Sequence, residues 1–135
     1  MKKTAIIITI AFLCVLSACS ADSPSDSAAP APGWTTISAD TAHQMMTESD
    51  DYILLDVRTE EEYRDQRIDG SVLIPVDEIS IRAEAELPDK DATILVYCRS
   101  GRRSASAAEE LAALGYTNVY DFGGIQSWPY ETVSG

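Results

Sequence analysis

The sequence has little positive charge, a single histidine and no glycine-rich nucleotide motif. Its 135 residues include ten lysines and arginines against twenty-two acids, and such an acidic surface repels nucleic acid. His43, the sole histidine, has no cysteine or histidine near it that could complete a metal site. Neither a G-x-G-x-x-G nor a Walker pattern occurs. The sequence therefore predicts no nucleic-acid partner, no metal and no cofactor.

The N-terminal segment is typical of an export signal. Two lysines precede an apolar run of thirteen residues, Thr4 to Leu16, which suits a signal core and is too short to span a bilayer comfortably. The run ends in the letters LSAC at residues 16–19, which resembles the lipobox of bacterial lipoproteins. The resemblance implies a signal peptide over residues 1–18 and a lipid on the thiol of Cys19. An ordinary cleaved signal, with Cys19 incidental, is the alternative.

This anchor predicts where the protein resides. We expect an exported protein that is held at a bacterial membrane by the lipid on Cys19 and faces the periplasm if the host is Gram-negative. Ser20 stands where an aspartate would resemble the inner-membrane retention signal, so the outer membrane is favoured. Residues 19–33 are predicted to be a flexible tether, because they are rich in Ser, Ala and Pro and cannot bury enough apolar surface to offset their ordering entropy. Residues 34–135 suit one compact domain.

Cleavage and lipidation would leave Cys98 as the sole free thiol. The mature chain would keep all twenty-two acids and eight bases, a net charge of −14. A lone thiol forms no internal disulfide, and in an exported domain it invites a chemical role. The alternative is a buried, inert cysteine that packs as a small hydrophobe.

Four short apolar runs predict the strands of a parallel sheet. They are rich in Ile, Val and Leu, as strands buried on both faces are, and they cover residues 52–57, 71–75, 93–97 and 118–122. Helical segments lie between them. The predicted caps are Ser38, Thr59 with Glu62 at the third position, and Asp77 for a helix over residues 78–87. Alternation of strand and helix predicts an α/β fold with a central parallel sheet flanked by helices on both faces.

Cys98 is the candidate nucleophile. It sits just past the carboxyl end of a central strand, where parallel α/β sheets bind ligands, and a helix is predicted from about Arg103 or Ser104 to Gly115. The intervening residues are the candidate substrate-binding loop: Arg99, Ser100, Gly101, Arg102 and Arg103. Their backbone N–H groups, the helix N-terminus and three guanidinium groups all favour an anion. We therefore expect a lowered thiol pKa and a nucleophilic thiolate.

Three blocks of this sequence resemble the signature blocks of the rhodanese-like sulfurtransferases. In order and spacing, they are LLDVRTEEEYRDQRIDGSVLIP at 54–75, ILVYCRSGRRS at 94–104 and FGGIQSW at 122–128. The resemblance implies a single rhodanese-like domain in which Cys98 carries a sulfane sulfur as a persulfide, held by the 99–103 loop. The implied partners are a small anionic donor such as thiosulfate and a thiophilic acceptor such as cyanide.

The chain departs from the family pattern at Gln66 and Arg67, where Gly-His is usual; the departure concerns the local turn rather than the chemistry. Asp56 and Arg58 match the family's D-x-R and either brace the loop or form an ion pair that supports the fold.

Other residues are given structural roles. Gly123, Gly124 and Trp128 are expected in a turn and the core, and Met45 and Met46 at the core edge. Residues 60–62 are expected to be a solvated helix start, and His43 is expected on an exposed helix.

Two other functions remain open. A phosphatase or arsenate reductase of the cysteine-loop type would require C-x₅-R, but Ser104 stands sixth after Cys98 and the arginine comes one place early at Arg103. A non-catalytic, anchored binding module could use the loop to dock a partner, although such a module does not need the cysteine. Sulfur transfer is favoured because it uses the thiolate, the anion-binding loop and the unpaired cysteine together.

Overall fold

The computed structural model describes residues 33–135. The predicted signal peptide, Cys19 and the tether up to residue 32 lie outside the described residues. Within residues 33–135, no helix is both long enough and apolar enough to cross a membrane.

Strands and helices alternate along the domain. The strands are β1 (Trp34–Thr36), β2 (Ile53–Asp56), β3 (Val72–Leu73), β4 (Ile94–Cys98) and β5 (Val119–Gly124). The helices are α1 (Ala39–Glu48), α2 (Glu60–Asp65), α3 (Ile79–Glu86) and α4 (Arg102–Ala113), with 3₁₀ turns at Val76–Glu78 and Ile125–Ser127. All strand pairs are parallel, in the order β1-β5-β4-β2-β3. The predicted parallel α/β architecture is confirmed.

The core has two apolar clusters, one on each face of the sheet, because successive strand residues point to opposite sides. Leu55 and Val96 belong to the cluster that includes residues of α3 and α4. Leu54 and Leu95 belong to the cluster that includes Ala42 of α1. Strand β4 is buried along its whole length, which explains why its sequence is a continuous apolar run. The nucleophile candidate therefore ends the most enclosed strand of the sheet.

Two of the predicted helix starts are confirmed and one is wrong. The Ser38 side chain accepts from the Thr41 N–H, and Thr59 forms a complete capping box with Glu62. Asp77 does not cap α3: it lies inside the 3₁₀ turn at 76–78, and α3 begins at Ile79 without a side-chain cap. The chain enters α3 directly from that turn. Asp77 therefore lies within the turn and not at the N-cap position of α3.

Strand β1 was not predicted from the sequence. It has three residues, its one partner in the described part of the chain is β5, and Thr35 and Thr36 are exposed. An edge strand of this length carries no continuous apolar run, so its pairing depends on a partner more than eighty residues away in the chain.

Candidate active site

Cys98 is the last residue of β4 and is fully buried. The prediction placed it one residue beyond the strand; the register between β4 and β5 shifts after Val96, and Cys98 then pairs with Gly124. The hydrogen-bonded pairing of β4 with β5 therefore ends at Cys98. The thiol thus lies at the carboxyl edge of the sheet, beneath the turn that leads into α4.

The loop after Cys98 directs a backbone N–H group at the sulfur. Gly101 lies in the left-handed region, with φ 102°, which glycine adopts without steric cost. Its N–H donates to Cys98 Sγ at an N–S distance of 3.0 Å. Helix α4 begins immediately afterwards at Arg102, one or two residues earlier than predicted. The start of α4 therefore follows directly on the turn that holds the sulfur.

Gly124 allows this loop to pack against β5. A Cβ atom built on Gly124 would lie 2.2 Å from the Arg99 carbonyl oxygen and 2.6 Å from Ser100 Cα. The Gln126 N–H donates to that same carbonyl at 3.2 Å. The sequence assigned Gly124 to a turn and the core, whereas the structure also places it directly against the candidate active-site loop.

Ser104 is a site residue that the sequence reasoning did not select. It is buried in the first turn of α4, and its hydroxyl lies 3.1 Å from the Gly101 carbonyl oxygen and 3.2 Å from that of Gly123. It therefore connects the cysteine loop to the glycine pair at the end of β5. A serine six residues after the nucleophile, at a helix start, is the signal that could have identified it.

The pKa of the Cys98 thiol is lowered by hydrogen bonding. Burial opposes ionisation, but the hydroxyl and N–H of Ser104 and the N–H groups of Gly101 and Ser100 together outweigh it. A lowered pKa agrees with the expectation from the sequence. The cause differs in part, because the main stabilising groups are neutral donors and not the three guanidinium groups.

The three arginines of the loop have different surroundings. Arg99 and Arg102 are exposed. Arg103 is partly buried and donates from Nη1 and Nη2 to the two carboxylate oxygens of Glu62, at 2.7 and 2.8 Å. Arg103 first, and then the capping contacts of Thr59, overcome burial and hold the pKa of Glu62 at about 2. The sequence treated Glu62 as part of a solvated helix start, and that interpretation is wrong.

A cavity of about 530 Å³ opens beside the loop. Its lining includes Ser100, Arg102 and Arg103 from the loop and α4, with Val76 and Asp77 from the 3₁₀ turn opposite. A larger cavity of about 760 Å³ lies between α1 and the C-terminal segment, but it is lined by no thiol and no loop residue. We place the candidate active site at the smaller cavity, because it is the one of these two that the nucleophile's loop and its cationic side chains line.

Asp56 and Arg58 form a buried ion pair with each other. Arg58 Nη2 lies 2.6 Å from Asp56 Oδ2, and both residues are almost fully buried. The Arg58 guanidinium also donates to the Gln66 carbonyl and lies 5.6 Å from the centre of the Tyr97 ring. Of the two roles left open by the sequence, these contacts favour support of the fold, because they join β2, the end of α2 and β4.

Gln66 and Arg67 hold the C-terminal segment in place. The Gln66 amide donates to the Thr132 hydroxyl at 3.0 Å. The Arg67 backbone pairs with Val133, and its guanidinium donates to the Gly135 carbonyl at 2.7 Å. The departure from the family pattern therefore coincides with contacts to the last described residues and lies away from the cavity beside the loop.

The sequence predicted that His43 lies on an exposed helix. It does lie on α1, but its side chain is partly buried. Its ring stacks on Tyr130, with ring centres 3.6 Å apart. Met45 and Met46 pack at the edge of the apolar cluster that contains Ala42 of α1, as predicted. Among residues 33–135, no three His, Cys, Asp or Glu side chains are grouped so that they could hold a metal ion.

Comparison with known proteins identifies the fold and the family. A family model described as the rhodanese-like domain matches residues 38–130. The thiosulfate sulfurtransferase PspE of Escherichia coli is 38% identical over 81 residues, which cover 60% of this chain and 78% of that protein. A sulfurtransferase of Allochromatium vinosum is 36% identical over 93 residues, covering 68% and 85%. A solved structure described as rhodanese with anions from E. coli superposes with a TM-score of 0.59 at 37% identity, covering 62% of this chain and 99% of that one. With its parallel sheet and its cysteine loop at the carboxyl edge, the chain belongs to the rhodanese-like domain family.

Proposed function

We propose that this protein is a sulfurtransferase that moves a sulfane sulfur from a thiosulfate-like donor to a thiophilic acceptor through a persulfide on Cys98. The observation that carries the proposal is the Cys98 sulfur itself: it is buried at the carboxyl edge of β4, accepts the Gly101 N–H and has a lowered pKa. A thiolate held by neutral donors is a nucleophile without a fixed counterion. Relatives named thiosulfate sulfurtransferase and sulfurtransferase support the same chemistry.

The reaction has two balanced steps. The Cys98 thiolate attacks the outer sulfur of thiosulfate; the new S–S bond forms as the bond to the sulfonate group breaks, and sulfite leaves with the electron pair. Loop N–H groups stabilise the bound sulfur, and the exposed Arg99 and Arg102 attract the sulfonate oxygens. A nucleophile such as cyanide then attacks the outer sulfur of the persulfide, and the thiolate leaves. Neither step requires an oxidant or a reductant.

The cysteine-loop phosphatase is the weaker alternative for a structural reason. The loop arginine that comes closest to the C-x₅-R pattern, Arg103, has both of its Nη groups on Glu62. The position that this pattern requires is Ser104, whose hydroxyl lies between two carbonyl oxygens. A phosphoryl group would lack the bidentate arginine on which such enzymes depend.

A substrate profile tests the proposed function. We expect the wild-type chain to release thiocyanate from thiosulfate and cyanide, and to release no phosphate from p-nitrophenyl phosphate. The reason is that the loop offers N–H groups to one sulfur atom, and that Arg103, the arginine closest to the C-x₅-R position, is already paired with Glu62. Colorimetric detection of thiocyanate and phosphate in parallel decides the point. Phosphate release without thiocyanate would favour the phosphatase, and neither product from a folded, reduced protein would leave the binding module as the remaining alternative.

We also propose that the domain is the exported, lipid-anchored part of a single-domain protein. The support is the apolar run that ends in LSAC at residues 16–19, followed by a segment rich in Ser, Ala and Pro. If Cys19 carries the lipid, the wild type should partition into detergent and membranes, and Cys19→Ala should be released or remain unprocessed. Fractionation and intact-mass measurement test this. Unchanged membrane association of the variant, with no lipid mass on the wild type, would refute the anchor.

A further inference from the structure

The ion pair between Glu62 and Arg103 joins the candidate active-site loop to a different helix. Each residue lies in the first turn of its own helix, α2 or α4, and both Nη groups of the arginine are used. We infer that Glu62 is a positioning residue that holds the Arg103 guanidinium on the cavity wall, so that it does not close on the Cys98 thiolate. This inference rests on the proposed sulfur transfer and adds to it a residue that acts through Arg103.

The Glu62 carboxylate is fixed on its own helix before it binds the arginine. The Thr59 N–H and hydroxyl donate to Glu62 Oε2 at 3.0 and 3.2 Å, and the Glu62 N–H donates back to the Thr59 hydroxyl at 3.3 Å. The bond from Arg103, and then the Thr59 contacts, keep the pKa of this carboxyl near 2 against the effect of burial. Glu62 is therefore a rigid anion at any pH at which the thiolate reacts.

Arg103 would have another anion to bind if Glu62 lost its charge. It stands five residues after Cys98 and lines the same cavity as Ser100. Its pKa is raised first by Glu62, against burial, and also by the charges of the Cys98 thiolate and of Asp56, which is itself paired with Arg58. Asp77 lines the cavity too, but it is exposed, so water and salt screen its charge more than that of the buried sulfur. A freed guanidinium would therefore settle on the thiolate.

A guanidinium on the thiolate would impair the proposed reaction in two ways. It would occupy the space that the donor's outer sulfur must enter. It would also lower the thiol pKa further, and the intrinsic nucleophilicity of a thiolate falls as its pKa falls. The observed arrangement avoids both, because the main groups that lower the thiol pKa are neutral donors.

The test is Glu62→Gln in the full-length chain. Glutamine keeps the size of the side chain and still serves in a capping box, but it removes the charge that holds Arg103. We expect the Cys98 pKa to fall further, persulfide formation from thiosulfate to slow by about tenfold, and the half-saturating thiosulfate concentration not to rise. Adding Arg103→Ala to Glu62→Gln should restore most of the lost rate. The readouts are alkylation of the Cys98 peptide against pH and single-turnover mass gain.

Glu61→Gln is the matched control. It removes the same charge from the same helical turn, and Glu61 is exposed and forms no ion pair among the described residues. Its alkylation profile and rate should match those of the wild type. If Glu62→Gln instead raises the thiol pKa and weakens thiosulfate binding, or if Arg103→Ala fails to restore the rate, the positioning role is refuted. If the wild type forms no persulfide, the proposed function fails, while the alkylation profiles still decide whether Glu62 holds Arg103 away from the sulfur.

Discussion

Incubation with thiosulfate alone should add one sulfur atom to the wild-type chain and none to Cys98→Ser. The expected result follows from the two-step scheme, because the transferred sulfur stays on Cys98 until an acceptor arrives. A serine hydroxyl is not ionised at neutral pH and has no comparable affinity for sulfur, so the rate of thiocyanate production should fall by at least about a thousandfold. Intact-mass measurement before and after addition of cyanide records both the gain of sulfur and its removal.

Two controls make this result specific. Cys19→Ala should still gain one sulfur, since the proposed chemistry does not involve that residue. Circular dichroism should show that Cys98→Ser keeps the fold, because serine differs from cysteine by one atom and strand β4 as a whole is paired with both β2 and β5. Sulfur gain by folded Cys98→Ser would contradict the proposal, since another group would then be the carrier.

Gly124→Ala should disrupt the cysteine loop, although it adds only one methyl group. Gly124 has extended backbone angles, φ −122° and ψ 147°, which alanine adopts freely, so any effect must come from the added methyl group. That methyl would lie 2.2 Å from the Arg99 carbonyl oxygen, and the loop or β5 must move. We expect the free energy of unfolding to fall by about 3 kcal/mol and the thiol pKa to rise as the N–H contacts to the sulfur are lost.

Gly123→Ala is the matched control for the methyl group. Gly123 has φ 90°, but a Cβ at this position would meet nothing within 4 Å. Its substitution should cost only the strain of a left-handed alanine, about 1–2 kcal/mol, and should leave the thiol pKa where it is. Urea denaturation and alkylation against pH compare the two variants. A Gly124→Ala variant that loses no more stability than Gly123→Ala and keeps its thiol pKa would mean that contact with the loop is not what requires glycine at position 124.

The sequence was sufficient to predict features that depend on neighbouring residues. The buried strand before Cys98 follows from a continuous apolar run, and the start of α2 follows from Thr59 and Glu62 at capping-box spacing. Glycine at position 101 permits the left-handed turn that the structure shows there. Each of these depends on contacts within a few positions along the chain, where spacing and side-chain type are enough.

Features that depend on distant residues could not be predicted in this way. The Glu62–Arg103 pair joins residues 41 positions apart, and the same glutamate has a complete local explanation as a capping residue. The approach of Gly124 to Arg99 depends on how β5 sits beside β4. The sequence predicted a lowered thiol pKa from backbone N–H groups, the helix N-terminus and three guanidinium groups together; that neutral donors are the main cause depends on the direction of those donors, which a sequence does not show.

Strand β1 determines how the domain would respond to mechanical force. A pull on the chain before Gly33 reaches β1 first, and within residues 33–135 β1 pairs with β5 alone, over three residue pairs from Trp34 to Thr36. Short edge strands open at low cost. Strand β4, which bears Cys98, lies two strands in from β1 and is paired on one side with β5 and on the other with β2. A force applied through the N-terminal segment would therefore separate β1 from β5 before it disturbed β4, so the site around Cys98 would stay intact at forces that already detach β1.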